Sequence, residues 1–342
     1  MITEQDFGQV AGRRVTAFTI ANSQGLRATV IPYGARLTAL ETPDRDGKLA
    51  DIVLGHDRIE DYIAGTAYFG ATCGRYANRI AGGRLPVSGT VYQLDRNEGE
   101  NHLHGGRAGF DTKVWEVEEV GKQSILFSTE SPAGEMGFPG ACKIWSRYTL
   151  TDDNRLSLTM EAVSDADTVM NMVNHSYFNL AGQGSGPVLN QHLRLSADHY
   201  TPVRDDLLPT GEILAVDDTP FDFRQSRAIG QTMAALPDPA GYDHNWCLTG
   251  GGTGLRLCAE AHDPVSGRRL TLATTEPGVQ LYVGGYLKDG LAGKGYAVLG
   301  RHAGFTLETQ KFPDSPNNPQ FPPALLLAGT RYNHQMVFTF LV

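Results

Sequence analysis

The sequence predicts an all-β protein, a large antiparallel β-sandwich with few short helices, and three observations carry that prediction. Alternation of apolar and polar residues with a period of two recurs from one end of the chain to the other. The 40 glycines and 18 prolines mark many turns, which favours short strands over long helices. Helical periodicity is scarce: only residues 225–236, running on into "ALPDPAGYD", suggest one short helix.

In chain order, the alternating runs are 15–20, 26–34, 124–130, 143–150, 155–163, 191–198, 254–262, 268–276 and 334–342. Each is rich in Val, Leu, Thr, Phe or Tyr and is bounded by Gly, Asp, Asn or Pro, the residues that punctuate strands. "RDGK" (45–48), "TDDNR" (151–155) and "VSGRR" (265–269) place turn-prone pairs between such runs and predict hairpins. No internal repeat, low-complexity tract or Ser/Gly linker divides the chain, so one domain over 1–342 is expected. A hydrophobic content of 41% is enough to fill a large core.

Composition narrows the function classes. The net charge is −9 and no Lys/Arg cluster exceeds the pair Arg268-Arg269, which argues against nucleic acid as a partner. The cysteines, Cys73, Cys142, Cys247 and Cys258, form no CxxC pair, so neither a zinc site nor a redox motif is suggested; free thiols fit a reducing cytosol. The N-terminus is polar with early acids, and no run of about 18 apolar residues occurs. A soluble, cytoplasmic protein with no membrane partner is expected.

Chemistry-bearing residues gather in five places. "CGRYANRIAGG" (73–83) offers Asn78 and Arg79; the guanidinium suits hydroxyls or an anionic transition state, or equally a surface salt bridge. "NEGENHLHGG" (97–106) sets His102 and His104 two apart, on one side if extended. They make two metal ligands but lack a third by sequence, so a pocket imidazole is favoured over a metal. "NMVNHSYFNLAG" (171–182) holds His175 among amides and aromatics, and histidine has the side chain best suited to exchange protons near neutrality; a structural histidine is the competing reading. "GYDHNWCL" (241–248) puts Asp243 beside Trp246, which suits a sugar or an Asx turn. Finally, Gln280 in "TTEPGVQLYVGG" (274–285) and Glu308 in "GFTLETQ" (304–310) lie on alternating strands, where the polar residue faces either a cavity or water.

Taken together and in this order, "GRYANRIAGG", "NHLHGG", "VNHSYFNLAG", "LPTGEI", "GYDHNW", "PGVQLY" and "LETQKFPDSPNNPQFP" resemble the aldose 1-epimerase (galactose mutarotase) family from about residue 25 onward. The resemblance implies a mutarotase-like supersandwich that interconverts the α and β anomers of a free aldose, such as glucose, galactose or xylose, without cofactor or metal. It implies Glu308 as the base taking the proton of the C1 hydroxyl and His175 as the acid protonating the ring oxygen. His104 and Arg79 would attend the ring-oxygen side, and Asn78, Asp243 and Gln280 would bind hydroxyls. A carboxylate near two histidines and an arginine should then be ionised and His175 protonated. The likeness departs at Gly285, where asparagine is usual, and at Ala328, where proline is. Two rivals remain at this stage, a glycoside hydrolase using Asp243 and Glu308 as a carboxylate pair and a non-catalytic sugar-binding module. Monomer and homodimer are both open.

Overall fold

The computed structural model describes residues 2–238, 241–252 and 254–342. Three antiparallel sheets dominate them. Ile2–Val10, Arg13–Ala21, Arg27–Ile31, Arg36–Pro43 and Leu49–Asp51 form a five-stranded meander in chain order. The nine-stranded sheet is centred on Arg331–Leu341, which pairs with Arg155–Ser164 on one side and Arg269–Thr274 on the other. The six-stranded sheet runs, in spatial order, Tyr177–Phe178, Phe305–Gln310, Gly278–Tyr282, Asp243–Leu248, Ala197–Thr201 and Leu214–Ala215.

Every predicted alternating run falls on a strand, and all three predicted turns join paired strands. One run needs revision. Residues 191–198 split at Ser196 into His192–Leu195 and Ala197–Thr201, which belong to the nine- and six-stranded sheets respectively. The expected helix is a 3-10 turn over Ile229–Ala235, while the prediction's positions 239–240 lie outside the described residues.

Alternate side chains of the three sheets meet in one core. Phe18 and Val30 come from the meander, Phe127, Leu158 and Phe338 from the nine-stranded sheet, and Trp246, Leu281 and Leu307 from the six-stranded one. Phe178 meets Phe338 at 5.2 Å between ring centroids, joining two sheets face to face. Burying each such side chain is worth roughly 1.5–3 kcal/mol, so the core anchors the sheet that carries the polar groups described below.

A single buried cation fixes the segment that carries Asn78 and Arg79. Arg75 is 2% exposed, and its guanidinium donates to the carbonyls of Ser131, Pro132, Pro139 and Gly140 and to Ser131 Oγ, each at 2.8 Å. Replacing it by an apolar residue of similar reach leaves those acceptors buried without a donor. Arg75→Met is expected to lower the unfolding free energy by about 3 kcal/mol or more, measured by urea denaturation. A loss below about 1 kcal/mol would show that water or relaxation replaces the clamp.

Candidate active site

The strand Phe305–Gln310 is buried at all six positions, although its sequence alternates. One face, Phe305 and Leu307, lies in the core. The other presents Thr306, Glu308 and Gln310, and the pairing Gln280↔Glu308 and Asn245↔Gln280 continues that polar face across the sheet to Asp243 and Asn245. The face forms one wall of a cavity of about 340 Å³, within the usual range for small-ligand sites. Glu308 therefore faces a cavity, with 2% exposure, and Gln280 also points inward, where its Nε2 donates to Asp243 Oδ1 at 2.6 Å.

Glu308 Oε1 accepts a hydrogen bond from Thr306 Oγ1 at 2.8 Å, while Oε2 is buried with no hydrogen-bond partner. Burial, reinforced by Asp243 and only partly offset by Thr306 and Arg79, pushes its carboxyl up to about 8. His175 sits between the short strands Val173–Asn174 and Tyr177–Phe178, its own N–H donated to Ala71 O at 2.8 Å and its carbonyl accepting from Gly70 at 3.0 Å. Its ring lies between those of Tyr68 and Tyr177, at centroid distances of 5.6 and 5.1 Å, and its Nε2 stands 3.6 Å from Glu308 Oε1. Burial pushes this imidazole down to about 4. The expected ionised carboxylate and protonated histidine are thus reversed. Desolvation is the largest cause for both groups: at Glu308 it outweighs Arg79, whose guanidinium also has another partner, and at His175 the cation Arg36 adds to it.

That partner is Glu98, which takes Arg79 Nε at 2.7 Å and Nη2 at 2.6 Å and leaves Nη1 uncommitted. Arg79 is buried and ion-paired at once. Asn78, at φ 63°, occupies the left-handed region that asparagine tolerates. Its Oδ1 accepts from the N–H of Arg79 at 2.8 Å, so Nδ2 is what it offers the cavity it lines.

The two histidines of the H-x-H pair diverge, because His104 has φ 52° and breaks the extended alternation. His102 is fully buried against Phe138 with Nδ1 bonded to Asp95 O, away from the cavity. His104 enters it. The backbone N–H of Asn78 donates to His104 Nδ1 at 3.1 Å, which fixes Nδ1 as an acceptor and places the ring proton on Nε2. Donor atoms of His104, His175 and Glu308 all lie within 4.8 Å of one another, a spacing a metal ion could bridge. Ligation through His104 Nε2 would move the ring proton to Nδ1, against the Asn78 N–H. The hydrogen bond from Asn78 thus opposes metal ligation at His104 Nε2.

The cavity thus gathers Glu308, His175, His104, Asn78, Arg79, Asp243 and Gln280 from six separate stretches of chain. Sequence reasoning passed over Glu98, Tyr68, Thr306, Tyr282 and Tyr286. Thr306 and Tyr282 share a strand face with Glu308 and Gln280, so period two would have found them. Tyr68 is placed only by the tertiary fold.

A β-sandwich whose small cavity gathers a buried carboxyl, buried histidines and hydrogen-bonding side chains is the setting of an enzyme acting on a small polar ligand. The family profile "Aldose 1-epimerase" matches residues 16–339. Galactose mutarotase of Rattus norvegicus is 43% identical, covering 100% of this chain and 99% of that protein. Aldose 1-epimerase of Escherichia coli (strain K12) is 35% identical over 96% of each. The crystal structure of an aldose epimerase homologue from C. elegans superposes with a TM-score of 0.89 at 33% identity, covering 94% of this chain and 98% of that one. The chain belongs to the aldose 1-epimerase family, enzymes that isomerise carbohydrates.

The tautomer of His104 is directly observable. Burial, then the neighbouring His175 and Arg79, hold it well below the ordinary 6.5. Imidazole ¹⁵N spectra should show a neutral Nε2–H ring that does not titrate on passing through that value, and a ring protonating there would remove the lock.

Proposed function

We propose that the protein catalyses mutarotation of a free aldose, with Glu308 and His175 as the exchanging base and acid. The observation that carries this is their separation of 3.6 Å, too long for a hydrogen bond and suited to two oxygens on one carbon. Opening a pyranose removes a proton from O1 and adds one to the ring oxygen, and both oxygens are attached to C1. Base and acid must therefore stand close together. With Glu308 held up to about 8 and His175 down to about 4, the pair carries one proton at neutral pH. That proton has two positions.

In the charged arrangement, Glu308 as carboxylate takes the O1 proton through its unpartnered Oε2, while imidazolium His175 protonates the ring oxygen as the C1–O bond breaks. The aldehyde forms with neutral Glu308 and neutral His175, the arrangement that burial favours. Rotation about C1–C2 and the reverse transfers close the ring from the other face. His104 donates its Nε2–H on the ring-oxygen side with Arg79 Nη1 nearby, and Asn78, Gln280 and Asp243 hold hydroxyls. Asp243 as half of a glycosidase carboxylate pair fits less well, since Gln280 holds it as an acceptor at 2.6 Å and His175 already supplies the second proton-transfer group.

We further propose that one domain performs this reaction in the cytoplasm. The four cysteines are free, as in a reducing compartment, and no described helix is long and apolar enough to cross a membrane.

Polarimetry of freshly dissolved α-glucose, α-galactose and α-xylose tests the reading. Glu308→Gln and His175→Asn should each lower kcat by about 10²- to 10⁴-fold; variants that relax these sugars as fast as wild type would refute the roles. The enzymic rate should also be bell-shaped in pH. Below about 4 the pair binds a second proton and loses its base, and above about 8 it loses its only proton and its acid. Thr306→Val removes the hydrogen bond that lowers the Glu308 pKa, so the alkaline limb should move to higher pH. A limb that stays put would belong to some other group.

A further inference from the structure

Gln310 has no role in the chemistry above, yet it is fully buried two residues beyond Glu308 on the same strand face. Room for it exists because its cross-strand partner is Gly278, where an added Cβ would come within 2.4 Å of Asn245 Oδ1. Into that space Gln310 sends Nε2, which donates to both Gln280 Oε1 and Asn245 Oδ1 at 3.2 Å. Gln280 Nε2 in turn donates to Asp243 Oδ1 at 2.6 Å. The three side chains form a chain of hydrogen bonds with a definite direction.

Two atoms show what sets that direction. Gln310 Oε1 and Asn245 Nδ2 are both buried with no hydrogen-bond partner. Turning over the amides of Gln310, Gln280 and Asn245 would pair those two atoms with each other and keep the Gln310–Gln280 contact. It would also point Gln280 Oε1 at Asp243, an oxygen against a carboxylate that can only accept. The observed direction leaves two neutral groups unpaired and avoids that repulsion.

We propose that Gln310 is a positioning residue which, by donating to Gln280 Oε1, locks the amide of Gln280 with its NH₂ toward Asp243 and so fixes the pattern of donor and acceptor that the clamp presents to the sugar hydroxyls. A carbonyl oxygen of Gln280 engaged by Gln310 has one of its two lone pairs taken, which leaves the NH₂ as the group Gln280 offers most readily to a hydroxyl. Gln280 then shows the sugar a donor and Asp243 an acceptor, and the pair recognises a hydroxyl that both accepts and donates. In the proposed reaction the clamp holds hydroxyls other than O1, so its loss falls on binding. The inference rests on the mutarotase reading, and its test separates the two.

The test is mutarotation kinetics of wild type, Gln310→Glu, Asp243→Asn and the double variant. A carboxylate at position 310 can only accept, which repels Gln280 Oε1 and drives its amide over. Gln310→Glu is therefore expected to raise KM about tenfold with kcat changed less than about threefold. In the Asp243→Asn background the chain can run backwards, since an amide there donates to Gln280 Oε1 while Gln280 Nε2 donates to the new carboxylate. There the same Gln310→Glu change should cost less than about twofold in KM, a coupling that a merely structural residue would not produce. Gln310→Met keeps the volume without a donor and should also raise KM; it carries the test if the buried carboxylate prevents folding. An active wild type whose KM is unmoved by Gln310→Glu or Gln310→Met overturns the inference, as does an equal penalty in both backgrounds. A wild type that adds nothing to spontaneous mutarotation overturns the mutarotase reading, and the inference falls with it.

Discussion

A carboxyl group 2% exposed, with one hydrogen bond from Thr306 and one oxygen unpartnered, is expensive to ionise, and the residues around Glu308 do little to offset that cost. Arg79, the cation that lowers the Glu308 carboxyl, is held bidentately by Glu98. His104 faces the cavity as a neutral N–H donor because Asn78 occupies its other nitrogen. Asp243 adds negative charge and raises Glu308 further. On the proposed mechanism, the site's lowest-charge arrangement is the one present when the sugar is an open aldehyde. Withholding counter-ions keeps the proton of the resting pair on Glu308, and the proposed reaction starts when that proton moves to His175.

That environment requires a sheet buried on both faces, which few strands achieve. Phe305 and Leu307 commit one face of the Phe305–Gln310 strand to the core, so Glu308 cannot shift without disturbing it. On the other face the cavity is closed from far away in sequence. Tyr76 donates its hydroxyl to Phe312 O at 2.7 Å, and the Asp314 N–H donates to Arg79 O at 2.9 Å. Asp314 Oδ1 also accepts from the Ala81 N–H at 3.0 Å. The loop after Gln310, with Pro313, Pro316, Pro319, Pro322 and Pro323, thus straps the Glu308 strand to the Tyr76–Ala81 segment, with Phe312 and Asp314 making the attachments.

The strands were legible because period two survives in any half-buried sheet, and the hairpin turns because their residues have local reasons to bend. The break at Ser196 was not, since nothing local announces that a continuous alternating run changes sheets. Motif order brought Glu308, His175, His104, Asn78, Arg79, Asp243 and Gln280 to one list, and the fold brings them to one cavity. Their ionisation states escaped sequence reasoning for a physical reason. Counting nearby charges predicted an ion pair, whereas desolvation and the Glu98 clamp on Arg79 depend on burial and on a contact that no spacing encodes. Glu98 lay inside a quoted motif, but adjacent histidines drew the chemistry away from it.

On the proposed mechanism, a base carried by a rigid strand also dictates how the sugar must behave. The α and β anomers differ in where O1 points, and Glu308 cannot follow it from one position to the other. The aldehyde must turn instead, about C1–C2, while the rest of the chain stays oriented for ring closure. Catalysis therefore needs two regions with opposite demands: an acid–base pair that leaves C1 free to rotate, and a hydroxyl clamp that does not release the remaining carbons. The polar face provides both on neighbouring strands, Glu308 on one and Gln280 with Asp243 on the next two, joined by the register Gln280↔Glu308. Because backbone pairing sets the distance between them, a clamp grip strong enough to hold the sugar does not need to bind the anomeric centre, and both anomers can leave.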